Sequence, residues 1–425
     1  MTEHTASYYA ASANAHLPWP QLEGDAECDV CVVGGGYTGL SSALSLLERG
    51  YQVVLLEAAR IGFGASGRNG GQIVNSYSRD IDTIERNCPP DQARLLGNML
   101  FEGGDIIRSR IERYQIQCDL QSGGVFAADT EKQFHELAAQ KARWEKWGND
   151  QLELLDRHAI RQVVNTERYV GGLLDRRGGH IHPLNLALGE AEAIRSLGGR
   201  IFEQSPVVEI IAGEPVTVRS HKGRVKARFV VVAGNAYLGN LVPELAAKSM
   251  PCGTQVVTTE VLGEERAREL LPQNYCVEDC NYLLDYYRTS ADHRLIYGGG
   301  VVYGARDPAD IERLIRPKML KTFPQLAGVK FDYTWTGNFL LTLSRLPQFG
   351  RIGSNIYYMQ GYSGHGVTCT HLAGSLLAEA LAGQAERFDA FARLPHYPFP
   401  GGRLLRVPLT AIGAVWYSLR DRLGF

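Results

Sequence analysis

The chain has 425 residues, 44% of them hydrophobic, and a formal charge of −2. That length exceeds a single compact core, so two domains or one elaborated domain are expected. The near-neutral charge gives no long-range attraction to nucleic acid or to an acidic membrane face, and neither is expected as a partner.

The N-terminal segment carries Glu3, His4, Pro18, Trp19, Pro20 and Glu23 with no basic start followed by an apolar run, so it does not read as a secretory signal. No stretch reaches the roughly 18 apolar residues of a membrane span, and a soluble chain is expected. The cysteines (Cys28, Cys31, Cys88, Cys118, Cys252, Cys276, Cys280 and Cys369) lack a repeating spacing. That suits a reducing compartment, by default the cytoplasm. Cys28 and Cys31 fall within and beside a buried strand, where three-residue spacing puts the thiols on opposite faces. Cys276 and Cys280 have no second pair nearby, so no metal site is expected.

Val32 to Glu57, VVGGGYTGLSSALSLLERGYQVVLLE, has the form of a strand, a glycine turn, a helix and a second strand ending in an acid. Gly34, Gly36 and Gly39 supply the Gly-x-Gly-x-x-Gly spacing for a tight turn, close approach to a pyrophosphate and helix packing, with Tyr37 and Thr38 inside the motif. Glu57, followed by Ala58, stands where a carboxylate accepts hydrogen bonds from the hydroxyls of an adenosine ribose and repels a 2′-phosphate. FAD or NAD fits; NADP does not.

The next segment, AARIGFGASGRNGGQIVNSYSRD, alternates glycines with Ser66, Arg68, Asn69 and Gln72. Gly70 and Gly71 would let backbone amides meet phosphate oxygens or the polar edge of a flavin, and Arg68 offers a fork of donors. From Pro89 to Arg157 the pattern is helical, interrupted by DLQSGGVFAAD, which reads as a short strand pair. Near Gly178 a helix and a strand return, with Val207 and Val208 positioned to face an adenine. KARFVVVAGN is a buried strand ending in Ala233, Gly234 and Asn235, the carboxyl edge where an open parallel sheet presents ligands. Between Leu238 and Tyr333, NYLLDYYRTSADHRLIYGGG reads as a hairpin turning at Ser290 to His293.

NIYYMQGYSGHGVTCTHLAGSLLAEALAG then gives a strand, a turn through Gly364, His365 and Gly366, and a helix beginning around Val367. Its N-terminus carries about half a positive charge, suited to the negative charge that builds at the N1 and O2 edge of a reduced flavin. The tail RLLRVPLTAIGAVWYSLRDRLGF mixes apolar residues with Arg403, Arg406, Arg420 and Arg422. Pro408 and Gly413 are expected to break it into short pieces packed on the body or on a partner subunit.

The fold expected is a discontinuous Rossmann-like α/β dinucleotide-binding domain (25–88, 158–237 and 335–385) with an α+β, antiparallel-sheet substrate domain (89–157 and 238–334). Residues 386–425 form a C-terminal extension. The three nucleotide pieces in this order resemble the D-amino-acid oxidase and sarcosine oxidase superfamily of flavoproteins, from about Asp29 to Gly383. The resemblance implies FAD. Within it, SYYAASAN, WPQLEGD, GFGASGRNGGQIVNSYSRD and FPGGRLLRVPL look like the polyamine-catabolic branch that oxidises γ-glutamylputrescine. Monomeric sarcosine oxidases bond their flavin to a cysteine near a Tyr-Thr-x-Thr stretch. In FDYTWTG the corresponding place falls near Phe331, without a cysteine, so the resemblance implies noncovalent FAD.

The implied reaction takes a primary amine to an imine, then to aldehyde and ammonia, with dioxygen reoxidising the flavin to give hydrogen peroxide. The alternatives are an amino-acid or sarcosine-type oxidase, or a dehydrogenase passing electrons to a quinone or protein acceptor. Tyr286, Tyr287 and Trp335 are the aromatic candidates for an amine pocket. His365 could bond flavin or substrate or supply positive charge for dioxygen activation, and Lys248 could serve the oxygen role instead. Arg288 or Arg68 could hold the α-carboxylate of a γ-glutamyl group. A homo-oligomer is left open.

Overall fold

The computed structural model describes residues 3–304 and 307–423. The valine-rich strand Gly24–Val33 sits at the centre of a parallel group, between Gly223–Val232 and Val53–Leu56. Ile356–Gln360 and Arg200–Phe202 extend the group on either side, also parallel. Continuous apolar strands belong in such a sheet because both faces are covered. One face packs on the helices Tyr37–Leu47, Pro183–Ser196 and Gly366–Leu381. The other packs on the ribbon Val207–Ile211 with Val216–Ser220 and on the short helix Pro243–Ala247.

Strict alternation fails at the start of the central strand. The amides of Asp29 and Val30 both donate to the Gln52 carbonyl, at 3.0 and 3.1 Å, a bulge that resets the side-chain parity. Cys28 and Cys31 therefore pack into the same apolar cluster rather than onto opposite faces. Burial raises both thiols well away from the thiolate.

The second sheet is largely antiparallel. Phe331–Thr342, Ser249–Thr259, Leu295–Tyr303, Asp285–Thr289, Cys276–Asp279, Gln121–Ala128, Gly171–His180 and Gln72–Ile73 follow one another across it. The Asp285–Thr289 and Leu295–Tyr303 pair is the hairpin read from the sequence, turning through His293 with φ 63°. DLQSGGVFAAD contributes one strand, not a pair, because Gln121–Ala128 finds its partners in Gly171–His180 and Cys276–Asp279. Gly171–His180 joins this sheet although it falls inside the 158–237 stretch assigned to the nucleotide domain. Helix Glu102–Arg113, assigned to the substrate side, packs on the nucleotide helices: Arg110 reaches Ser41, Ser45 and Glu190.

The tail also departs from expectation. Gly402–Leu423 is one helix with Pro408 inside it. Pro408, inside the helix, gives up one intrahelical hydrogen bond and Gly413 costs about 1 kcal/mol, yet the helix runs on through both. Arg406 anchors the first turns by donating to the Ala246 and Ser249 carbonyls at 2.8 and 2.7 Å. On its other side the helix presents apolar side chains to solvent from the first turn onward, with Leu404 90% and Trp416 63% exposed. Among the described residues, no helix is long and apolar enough to cross a membrane.

Candidate active site

The carboxyl ends of Gly24–Val33, Gly223–Val232 and Ile356–Gln360 open onto the concave side of the second sheet. A cavity of about 1940 Å³, its mouth included, lies between them. Its floor begins at the first glycine turn. A Cβ on Gly39 would stand 1.9 Å from the Gly34 carbonyl oxygen, and Gly34 itself takes φ 115°, so both positions exclude other residues. The turn delivers Gly36, Tyr37 and Thr38 to the cavity wall. Neither the helix starting at Tyr37 nor the one starting at Gly366 has an acid in its first turn or a cap from the side chain of its own N-cap residue, and one outside group, Ser66 Oγ, takes the Tyr37 amide. Two positive helix ends thus face one space, an arrangement suited to a pyrophosphate and to the electron-rich edge of a flavin.

The glycine loop after Glu57 is held in place from outside. Ser66 Oγ accepts from the Tyr37 amide at 2.9 Å, and Asn69 accepts from Gly71 N while donating to the Ala65 and Ser66 carbonyls. Ser66, Asn69, Gly70 and Gln72 line the cavity; Gly71 lies behind it, where a Cβ would strike the Ile181 carbonyl and the Arg288 guanidinium. Glu57 accepts from the Gly35 and Ala59 amides at 2.6 and 2.8 Å, which fixes its carboxylate beside the turn, next to Ala58. Ala233, Gly364, His365, Gly366 and Val367 complete the predicted part of the wall; Gly234 lies just behind Ala233. Val208 is 42% exposed and outside the cavity, because its ribbon pairs with the amino-terminal half of Gly223–Val232, away from the carboxyl ends that open onto the cavity.

Of the residues read as catalytic, Tyr286 and His365 line the cavity. Tyr286 crosses Gly70, and its hydroxyl lies 3.3 Å from Thr254 Oγ1. His365 precedes the Gly366 helix, with Nδ1 unpartnered. Burial, with the charge of Arg345 adding to it, lowers this imidazole to about 4, so at neutral pH it is uncharged and supplies no cation for dioxygen.

The others stand elsewhere. Arg288 spends its donors on the carbonyls of Gly70, Thr289 and Ile181 and on the Tyr9 hydroxyl. Trp335 donates to the Arg68 carbonyl at 2.9 Å. Arg68 folds back on Phe63, donating to its carbonyl and lying 4.7 Å above its ring. These three brace the loop, and none of them lines the cavity. Tyr287 points into the opposite core, stacked on Tyr297 and bonded to Tyr169. Lys248 follows the Pro243–Ala247 helix outside the cavity, where its charge assists burial in lowering His396 to about 4. No cysteine lines the cavity; Cys369 donates to the Ser76 carbonyl instead.

Several wall residues escape the sequence reading. Arg345 takes φ 62° and donates to the Tyr282 hydroxyl at 2.6 Å while lying 4.9 Å from that ring's centre. Arg79, Glu278 and Tyr362 line the same space, as do the apolar Leu284, Phe339 and Leu340. Arg345 precedes Pro347 in a stretch that reads only as a connection, and Glu278 is one acid among several around CVEDC. Neither carries a local signal of its position.

The residues of this chain fit FAD: the glycine cradle, the two open helix ends, the unpartnered His365 nitrogen and the absence of cysteine from the wall all suit a noncovalent flavin dinucleotide. Comparison with known proteins agrees on FAD. The family model described as FAD dependent oxidoreductase matches residues 29–380. The chain is 70% identical to the gamma-glutamylputrescine oxidoreductase of Escherichia coli (strain K12) over all of both chains. It is 41% identical to the probable oxidoreductase OrdL of Haemophilus influenzae, over 99% of this chain and 98% of that one. Among solved structures, an L-proline dehydrogenase from P. horikoshii superposes with a TM-score of 0.72 at 21% identity, covering 86% of this chain and 94% of that one. A glycine oxidase from Geobacillus kaustophilus gives 0.71 at 21%, covering 84% and 95%. The chain belongs to the FAD-dependent oxidoreductase family.

Proposed function

We propose that this chain oxidises the primary amine of γ-glutamylputrescine or a closely related monoacylated polyamine, yielding aldehyde, ammonia and hydrogen peroxide. The observation that carries the substrate is the 70% identity to the Escherichia coli gamma-glutamylputrescine oxidoreductase, which extends over the full length of both chains.

The cavity suits such a molecule. Arg345, oriented by Tyr282, offers guanidinium donors to a carboxylate, and Arg79 adds a second positive charge to the same wall. Leu284, Phe339, Leu340 and Tyr286 supply apolar surface for a methylene chain. Bound FAD supplies the acceptor for a hydride from the carbon bearing the amine. The protein's task is to orient that carbon, exclude water and take the amine's proton, because only the neutral amine has a lone pair for the new C=N bond. His365, neutral and with a free ring nitrogen, is a hydrogen-bonding group at the flavin-edge turn rather than a charge.

The test is to purify the yellow protein and follow flavin bleaching and peroxide release with γ-glutamylputrescine, putrescine, sarcosine and D-alanine. Bleaching with matching peroxide for the acylated amine is expected. Preferential bleaching by sarcosine or D-alanine would overturn the substrate class. Bleaching without peroxide would favour a dehydrogenase delivering electrons to a membrane or protein acceptor, a reading supported by the exposed apolar face of the Gly402–Leu423 helix.

A further inference from the structure

We infer that Glu278 holds the ammonium group of the amine that is oxidised and takes up the proton this group must lose; the inference rests on the substrate class proposed above. Glu278 lies in strand Cys276–Asp279, directly across from Tyr286 on one side and Phe126 on the other. Its neighbours Val277 and Asp279 point the other way. Val277 enters the second core, and Asp279 is tied to Arg168 at 2.6 Å and to the Asn281 amide at 3.1 Å. The alternation of the strand therefore sends Glu278 alone into the cavity.

Glu278 is the one carboxylate among the described residues lining that space. It makes no hydrogen bond or ion pair with any described residue, and its oxygens are not sealed off from the cavity. A half-buried carboxylate that faces a cavity without a partner loses part of its hydration and gains nothing in return. Such a group is retained where a cationic ligand completes it. The wall has the complementary polarity elsewhere: Arg345, whose guanidinium donates to the Tyr282 hydroxyl, offers its remaining donors to the carboxylate end of a γ-glutamyl compound. An acyl-diamine thus has a matched place for each end, with apolar surface between them.

The proton step balances within the site. The ammonium nitrogen gives its proton to the Glu278 carboxylate, leaving a neutral amine and a carboxylic acid. The nitrogen lone pair freed in this way would be available for the C=N bond, with bound FAD supplying the hydride acceptor. Burial, reinforced by the neighbouring charge of Asp279, pushes the Glu278 carboxyl up to about 8. The other titratable groups around it are Tyr286, Cys276 and Cys280, all held protonated by burial, Asp175 across an adjoining crevice and bonded to Asn75 and Asn149, the neutral His365 and the cations Arg79 and Arg345. A proton acceptor near the working pH suits an amine substrate.

The test uses flavin-loaded wild type, Glu278→Gln and Glu278→Asp. Binding is measured by calorimetry on the dithionite-reduced, anaerobic proteins, where no turnover occurs. The ligands are γ-glutamylputrescine and γ-glutamylbutylamine, which share the acyl end and differ in the terminal ammonium. Wild type is expected to prefer the ammonium ligand by about tenfold, the scale of one charge-assisted contact. Glu278→Gln should bind both within about twofold of each other and retain its flavin spectrum, and Glu278→Asp should keep part of the preference. The rise of kcat/KM with pH through about 8 should be absent in Glu278→Gln. A tenfold preference surviving in Glu278→Gln, or equal weakening of both ligands, would overturn the role of Glu278 while leaving the proposed substrate standing. Wild type that γ-glutamylputrescine does not bleach would overturn both.

Discussion

The Thr38 and Tyr362 hydroxyls stand 2.9 Å apart and are buried. One belongs to the helix after the first glycine turn, the other to the turn after the last parallel strand, more than three hundred residues later. The bond ties together the two helix ends that face the cavity, so it fixes the spacing between the pyrophosphate cradle and the flavin-edge turn.

Tyr362→Phe should weaken FAD retention by about fivefold, since a buried hydrogen bond contributes roughly 1 kcal/mol and Thr38 is left unpaired. Thr38→Val should do the same. The double variant should lose little more than either single one. Flavin release followed by fluorescence reports all three; fully additive losses would show that the two hydroxyls act independently.

Beneath those helix ends lies a buried ionic network. Arg110 donates to Glu190 at 3.0 Å and to Ser41 at 2.8 Å, and His371 Nε2 is 3.1 Å from the same Glu190 oxygen. Burial acts to raise the Glu190 carboxyl, but His371 and Arg110 outweigh it and hold it below the ordinary range. Glu190→Gln would strand the Arg110 guanidinium and should cost about 3–5 kcal/mol in chemical unfolding, whereas Arg110→Met with Glu190→Leu should recover much of that loss. A single-variant cost under about 1 kcal/mol would mean that water replaces the missing partner.

Much of the cradle is legible in the sequence because its constraints are local. Gly34 and Gly39 exclude side chains within one turn, and the valine runs announce parallel strands. The substrate wall is not legible for the opposite reason. Glu278 becomes unique only when its strand lies beside Gln121–Ala128 and Asp285–Thr289, contacts between distant segments. Arg288 and Trp335 read as site residues because their types suit one. The structure shows them reaching the glycine loop from behind, spent on backbone carbonyls. Composition identifies the right kinds of group, but the side of the loop they occupy is set by tertiary packing.

Flavin attachment gives a simple check. With no cysteine on the cavity wall, and with burial holding the Cys369 thiol protonated, no thiolate is available to bond the ring. Acid precipitation should leave all yellow colour in the supernatant as FAD. Colour retained in the washed pellet would require a covalent link through a side chain other than cysteine.

Stability against pH tests Glu278 without any substrate. Its carboxyl is raised from 4.5 to about 8 in the folded chain, so the folded state binds that proton more tightly than the unfolded state. The resulting stabilisation is fully present below about 4.5 and is lost as pH rises through about 8. Glu278→Gln carries no such proton and cannot lose it. The variant should therefore gain on wild type between pH 6.5 and 9 by about 2 kcal/mol, at roughly 1.36 kcal/mol per unit of the separation still remaining at the lower pH. Restricting the comparison to this range matters, because His4, His180, His182, His365 and His396 are all lowered by burial. As pH falls below about 6.5 the unfolded chain takes up protons that these five sites refuse, and both proteins lose stability together. Unfolding midpoints of wild type and Glu278→Gln at the two pH values decide the matter. A gap that does not widen toward pH 9 would mean that Glu278 is already ionised in the folded chain at neutral pH, solvated through the cavity mouth.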